Sequence, residues 1–81
     1  MITVYSKDDC VQCLQVENLL KIKNKNFETK KLDKDYSREQ LEGMFVSLGL
    51  PQPRSFPVVF KAETLIGGLK EVKMLIAKGE L

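Results

Sequence analysis

The sequence contains no histidine and no tryptophan, only two cysteines and three prolines, and no apolar run long enough to span a membrane. Without histidine, Cys-His and Ser-His nucleophilic schemes and the usual His-based metal sites drop out. Two cysteines set close together near the N-terminus argue against a disulfide-stapled secreted scaffold. The chain enters a strand at Ile2 without a basic-then-apolar leader, so a reducing, cytoplasmic setting is expected. Neither sign of charge dominates. With 13 basic and 11 acidic side chains the net is +2, too weak a bias to imply nucleic-acid or membrane binding. The locally basic stretch from Lys21 to Lys31 reads as a solvated helix end and turn. A length of 81 residues with no composition break implies one domain, residues 1–81, with a modest core.

What the chain does carry is Cys10-Val11-Gln12-Cys13, directly after a short strand. Ile2 to Ser6 alternates as a strand does, with Ile2 and Val4 on one face, and Lys7-Asp8-Asp9 breaks the pattern. A helix is expected from about Cys10 to Lys23, burying Cys13, Val16, Leu19 and Leu20 as one stripe, with Glu17 and Lys21 pairing weakly outside. Two thiols on the first turn of a helix can close a disulfide with little backbone movement. The first stands where unpaired backbone N–H groups and the helix dipole favour a negative charge.

An ordinary thiol has a pKa near ~8.5. Lowering it by about two units requires roughly 2.7 kcal/mol of preference for the anion. A helix terminus supplies about 0.3 to 1 kcal/mol at exposed sites and ~2 when partly buried. The remainder must come from N–H groups around Val11 to Cys13 and from Lys7, the nearest cation in sequence; Asp8 and Asp9 oppose it unless they face solvent. Cys10 is therefore the expected nucleophile. Cys13, one turn inside, is shielded and suited to act second.

Further along, Asn24-Lys25-Asn26 is a turn and Phe27 to Leu32 a second strand, parallel to the first across a right-handed crossover. Asp33 to Tyr36 is a loop. Ser37 with Gln40 is a capping-box signature that opens a helix carrying Leu41, Met44, Phe45 and Leu48, ended by Gly49. Leu50 to Phe56, interrupted by Pro51 and Pro53, is irregular. Pro57 to Phe60 and Thr64 to Ile66 are strands joined as a hairpin through Lys61-Ala62-Glu63. Gly67-Gly68 is a tight turn, and Leu69 to Lys78 a last helix with Leu69, Val72, Leu75 and Ile76 inward. The order β-α-β-α-β-β-α calls for an α/β fold: a four-stranded mixed sheet flanked by three helices, on both faces.

A CxxC in a βαβ context points to a thioredoxin-like fold. Over nearly its whole length the chain resembles a glutaredoxin. The resemblance is carried by Thr3-Val4-Tyr5-Ser6-Lys7 ahead of the CxxC, Arg54-Ser55-Phe56-Pro57 where glutaredoxins end in Val-Pro, Ile66-Gly67-Gly68, and the ending Lys78-Gly79-Glu80-Leu81. Val11-Gln12 is instead similar to the NrdH-redoxins, whose turn at the Gly67-Gly68 position differs, so two patterns are mixed.

The resemblance implies a small dithiol-disulfide oxidoreductase, an enzyme of electron transport and cell redox homeostasis. It would reduce protein disulfides or glutathione mixed disulfides and donate electrons to partners such as ribonucleotide reductase. It implies a monomer with no covalently bound cofactor and no metal, with glutathione as co-substrate. An NrdH-redoxin-type carrier reduced by thioredoxin reductase is one alternative. A module bridging an iron–sulfur cluster through Cys10 and glutathione is another, and it demands two chains, because one chain offers too few thiols.

By the same resemblance, Cys10 and Cys13 form the redox disulfide, and Pro57 is cis and faces them. Phe56 offers its backbone to a peptide-like substrate and is equally a core residue or a contacting surface. Gly68, Leu69 and Lys70 form a helix N-terminus open to the γ-glutamyl carboxylate, or else only a turn. Lys7 matches the residue that meets the glycine carboxylate, and Gln12 replaces a tyrosine that packs on the peptide. Arg54 is either a charge near the cleft or a plain loop arginine.

Overall fold

A computed structural model describes residues 1–81. Alternation sets the first strand, β1 (Ile2–Ser6), with Ile2, Val4 and Ser6 buried and Thr3 and Tyr5 half-buried. It is followed by α1 (Val11–Ile22), β2 (Phe27–Lys31), α2 (Arg38–Ser47), β3 (Val58–Lys61), β4 (Thr64–Gly67) and α3 (Leu69–Ala77). The expected order holds throughout. The strands form one sheet in the order β2-β1-β3-β4, with β1 parallel to β2 and antiparallel to β3, and β3 antiparallel to β4.

Each face of the sheet buries its own apolar cluster. On one, Ile2, Val4 and Val59 meet Val16 and Leu20 of α1 and Val72 of α3. On the other, Val58 and Phe60 meet Tyr36 and, from α2, Leu41 and Phe45. Strand β3 is central, so Val58-Val59-Phe60 is buried on both sides and reads as an unbroken apolar run. Phe60 takes the rings of Phe45 and Tyr5 edge-on, with centroids 5.7 and 5.9 Å away.

Ser37 caps α2 as its spacing foretold: its hydroxyl accepts the Gln40 N–H at 3.1 Å, and the Gln40 side chain accepts the Ser37 N–H at 2.8 Å. Several local expectations are corrected. Cys10 is the residue before α1 rather than its first member, because its extended backbone (φ −122°, ψ 99°) frees the side chain to cap the helix. Glu17 and Lys21 form no ion pair; exposed partners four apart gain only a few tenths of a kcal/mol from pairing, and water competes. Leu48 caps the end of α2 and is 40% exposed, outside the core stripe. Pro57 precedes β3, which starts at Val58. No helix is long and apolar enough to cross a membrane.

Candidate active site

The end of β1 is held firmly. Ser6 is buried, and its carbonyl accepts both the Leu32 N–H at 2.9 Å and the Tyr36 hydroxyl at 2.8 Å. Burial pushes the Tyr36 phenol up to about 12, so it stays a neutral donor. From that anchor the chain turns out through exposed Lys7, Asp8 and Asp9, with Asp9 in the left-handed region at φ 54°, and delivers Cys10 to the head of α1. Asp8 faces solvent and lies 3.5 Å from Lys31.

Cys10 and Cys13 are joined in a disulfide with their Cα atoms 5.2 Å apart, inside the usual range of about 4.4–6.8 Å. The Cys13 N–H points at the Cys10 sulfur, 3.2 Å away. Cys10 is half-exposed, whereas Cys13 is 2% exposed, on the buried stripe with Val16 and Leu20. A partner can reach Cys10; Cys13 can be reached only from Cys10. The Cys13 N–H is one of the first-turn donors that a helix N-terminus leaves free for an outside acceptor.

The Phe56–Pro57 peptide is cis, and Pro57 lines a hollow shared with Arg54, apart from the one that the cysteines line. Pro57 is buried, and Phe56 packs partly against the α2-side cluster while its remainder lines the cleft, so it serves both as packing and as surface. The Lys7 ammonium sits 5.6 Å from the centroid of the Phe56 ring, within cation–π range. The cation expected beside the sulfur thus also ties the CxxC loop to the cis-proline loop.

Gly68 precedes α3, and its N–H donates to the Glu71 carboxylate at 2.8 Å. That end of the helix is not left wholly open: Glu71 takes the Gly68 amide, and the Leu69 and Lys70 amides remain as first-turn donors. Gly67, at φ 127°, is required twice over, since a Cβ there would lie 2.7 Å from the Glu71 Cγ.

Gln12, Phe56, Gly68, Leu69 and Lys70 come together around one open cleft of about 450 Å³. Lys7, Cys10 and Cys13 line a second hollow of about 400 Å³, and neither cysteine lines the first. Arg54 lines neither; it is exposed over a third hollow with Pro51 and Pro53. No three His, Cys, Asp or Glu side chains are grouped to hold a metal.

A family model for glutaredoxin matches residues 2–66. The chain belongs to the glutaredoxin family. Glutaredoxin 1 from Francisella tularensis, solved with cacodylate, shares the fold at TM-score 0.78 and 20% identity, over 95% of this chain and 92% of that one. A buckwheat glutaredoxin in complex with glutathione is 26% identical at TM-score 0.79, over 99% of this chain and 71% of its own. The dithiolic glutaredoxin of Trypanosoma brucei brucei is 28% identical at TM-score 0.78, with 99% and 80% covered. No curated protein matches the chain.

A glutaredoxin with this close pair is a thiol-disulfide oxidoreductase. The glutaredoxin cleft also includes Ser55, Glu71, Lys73 and Met74, which the sequence reading missed. The signal for Glu71 was present, since Gly68 and Glu71 have capping-box spacing. Lys73 stands one turn beyond Lys70 on the same side of α3, but nothing local distinguishes it from any solvated lysine.

Proposed function

We propose that this glutaredoxin reduces glutathione mixed disulfides and protein disulfides in the cytoplasm, with glutathione as its electron donor and co-substrate. The observation that carries this reading is an accessible Cys10 at a helix N-terminus, joined to a shielded Cys13, while Gln12 between the two thiols lines a cleft with Lys70 and Lys73. The glutathione held by the buckwheat relative supports it.

In the reaction, the Cys10 thiolate attacks one sulfur of the target disulfide, whose bond breaks as the departing sulfur takes the electron pair and a proton. Cys13 then attacks Cys10, expels the bound sulfur and closes the disulfide, so the target gains two electrons and the protein loses two. With a glutathione mixed disulfide, a second glutathione can release Cys10 directly. Lys70 and the Leu69 and Lys70 amides receive the γ-glutamyl carboxylate, Lys7 the glycine carboxylate, and Gln12 and the Phe56 backbone flank the peptide. Ribonucleotide reductase is a fitting acceptor, because its turnover consumes a dithiol.

A second reading, a carrier refilled by thioredoxin reductase, is favoured by Val11-Gln12 between the thiols. The deciding measurement is reduction of the oxidised protein by glutathione with glutathione reductase and NADPH, beside reduction by thioredoxin reductase with NADPH. Faster recovery of free thiol in the first supports glutathione as donor; faster recovery in the second overturns it in favour of the carrier.

A further inference from the structure

Lys7 and Phe56 belong to different loops and line different hollows: Lys7 the one with Cys10 and Cys13, Phe56 the cleft with Gln12 and Lys70. Their contact, ammonium to ring centroid at 5.6 Å, is the one cation–π pair in the protein. Lys7 is exposed and forms no ion pair, although Asp8 and Asp9 follow it in sequence; Asp8 lies 3.5 Å from Lys31 instead.

A carboxylate and a ring have opposite consequences for a cation that has to meet a ligand. A carboxylate would cancel the charge and would have to be displaced. A ring attracts the ammonium through its quadrupole, carries no charge of its own, and leaves the full positive charge for an anion. It also confines a side chain that otherwise gives up much rotamer freedom on engaging a ligand, so part of that loss is taken before the ligand arrives. Phe56 is suited to this because it is itself held: it is half-buried and packs against the cluster of Tyr36, Leu41, Phe45, Val58 and Phe60. An aliphatic side chain in its place would keep that packing and offer no π face.

We infer that Phe56 is a positioning residue for Lys7: its ring holds the ammonium, charged and ordered, for the glycine carboxylate of a glutathione mixed disulfide. This rests on the reading of Lys7 given above, and it adds a role for a side chain of which that reading uses only the backbone.

The probe is the mixed disulfide of glutathione and 2-thiopyridine, beside the same compound with its glycine carboxylate converted to the carboxamide. Attack of reduced Cys10 on the glutathione sulfur releases 2-thiopyridone, and its near-ultraviolet absorbance gives a second-order rate constant for each compound. Wild type should favour the acid over the amide about fivefold, and Lys7→Gln should erase the preference. Phe56→Leu should cut it to about twofold, while Phe56→Tyr, which keeps the ring, should retain it. Phe56→Leu added to Lys7→Gln should lower the ratio no further. The amide is the reference within each variant. If Phe56→Leu slows both compounds alike, the ratio survives, Phe56 acts by packing alone and the proposal is overturned. A loss in Phe56→Tyr as large as in Phe56→Leu overturns it too. Equal rates on acid and amide in wild type, or a preference that survives Lys7→Gln, sink the reading of Lys7 and this proposal with it. No reaction of wild type with either compound is a separate result, which sinks the redox reading of Cys10 itself.

Discussion

Replacing Tyr36 with phenylalanine removes one oxygen from the support beneath the CxxC loop. Tyr36 is 8% exposed, donates to the Ser6 carbonyl at 2.8 Å, and packs edge-on against Tyr5 with ring centroids 5.2 Å apart. The same carbonyl keeps the Leu32 N–H at 2.9 Å, so Tyr36→Phe leaves it partnered and the ring in place. The loss is then the net worth of one hydrogen bond, about 1 kcal/mol, rather than the larger penalty of an orphaned carbonyl. For a domain of 81 residues that is a fall of about 6 °C in Tm.

The pH dependence gives a sharper signature. Burial raises the Tyr36 phenol from 10.0 to about 12 in the folded protein. The folded state therefore holds this proton more tightly than the unfolded chain. Its contribution is complete below pH 10 and is lost as pH rises from 10 to about 12. One unit into that window costs about 1.4 kcal/mol, so wild type and Tyr36→Phe should be equally stable near about pH 11, with the variant ahead above it. Urea denaturation of both oxidised proteins, from pH 8 upward, measures this, because the lysines titrate in both and cancel in the difference. A gap that does not change with pH, or a variant as stable as wild type at pH 8, refutes the reasoning.

Cys10→Ser should abolish turnover of protein disulfides and glutathione mixed disulfides alike, while Cys13→Ser should spare only the second; equal loss of both in Cys13→Ser would contradict the division of labour between the sulfurs. Glu71→Ala removes the acceptor of the Gly68 N–H and should cost about 1 kcal/mol in denaturant titration, with Glu71→Gln recovering most of it. An unchanged midpoint for Glu71→Ala would show that the cap contributes nothing. Leu20→Ala empties a fully buried position between sheet and helices and should cost about 2–5 kcal/mol, read as a Tm shift; a cost below 1 kcal/mol would place Leu20 outside the core.

The parts of this glutaredoxin that were legible in the sequence are those whose cause is local. Alternation through Ile2–Ser6 and its break at Lys7 gave β1 its bounds, and Ser37 with Gln40 gave the start of α2. The run Val58-Val59-Phe60 marked a strand, and the structure adds that it is buried on both sides. What periodicity could not show depends on residues far apart in the chain. Lys7 and Phe56 meet only because the sheet brings the CxxC loop to the cis-proline loop, and neither residue's neighbours hint at it. Likewise, the gathering of Gln12, Phe56 and Lys70 around one cleft belongs to the fold, and only the family resemblance foretold it. Ala62 carries the β3–β4 turn at φ 53°, a place where local chemistry would have asked for glycine or asparagine. Glu71 was overlooked because its capping partner is a glycine, which lacks the hydroxyl that usually marks the motif.

The depth of Cys13 beneath Cys10 sets a clock on every encounter. A client captured covalently on the outer sulfur carries no means of shaking itself free, yet the agent of its release is already stored one helical turn below, where no solvent-borne competitor can be mistaken for it. Dwell time is thereby governed from within the molecule. Take the inner sulfur away, and a fleeting handshake becomes a durable tether by which the natural clients can be pulled from a cell and counted.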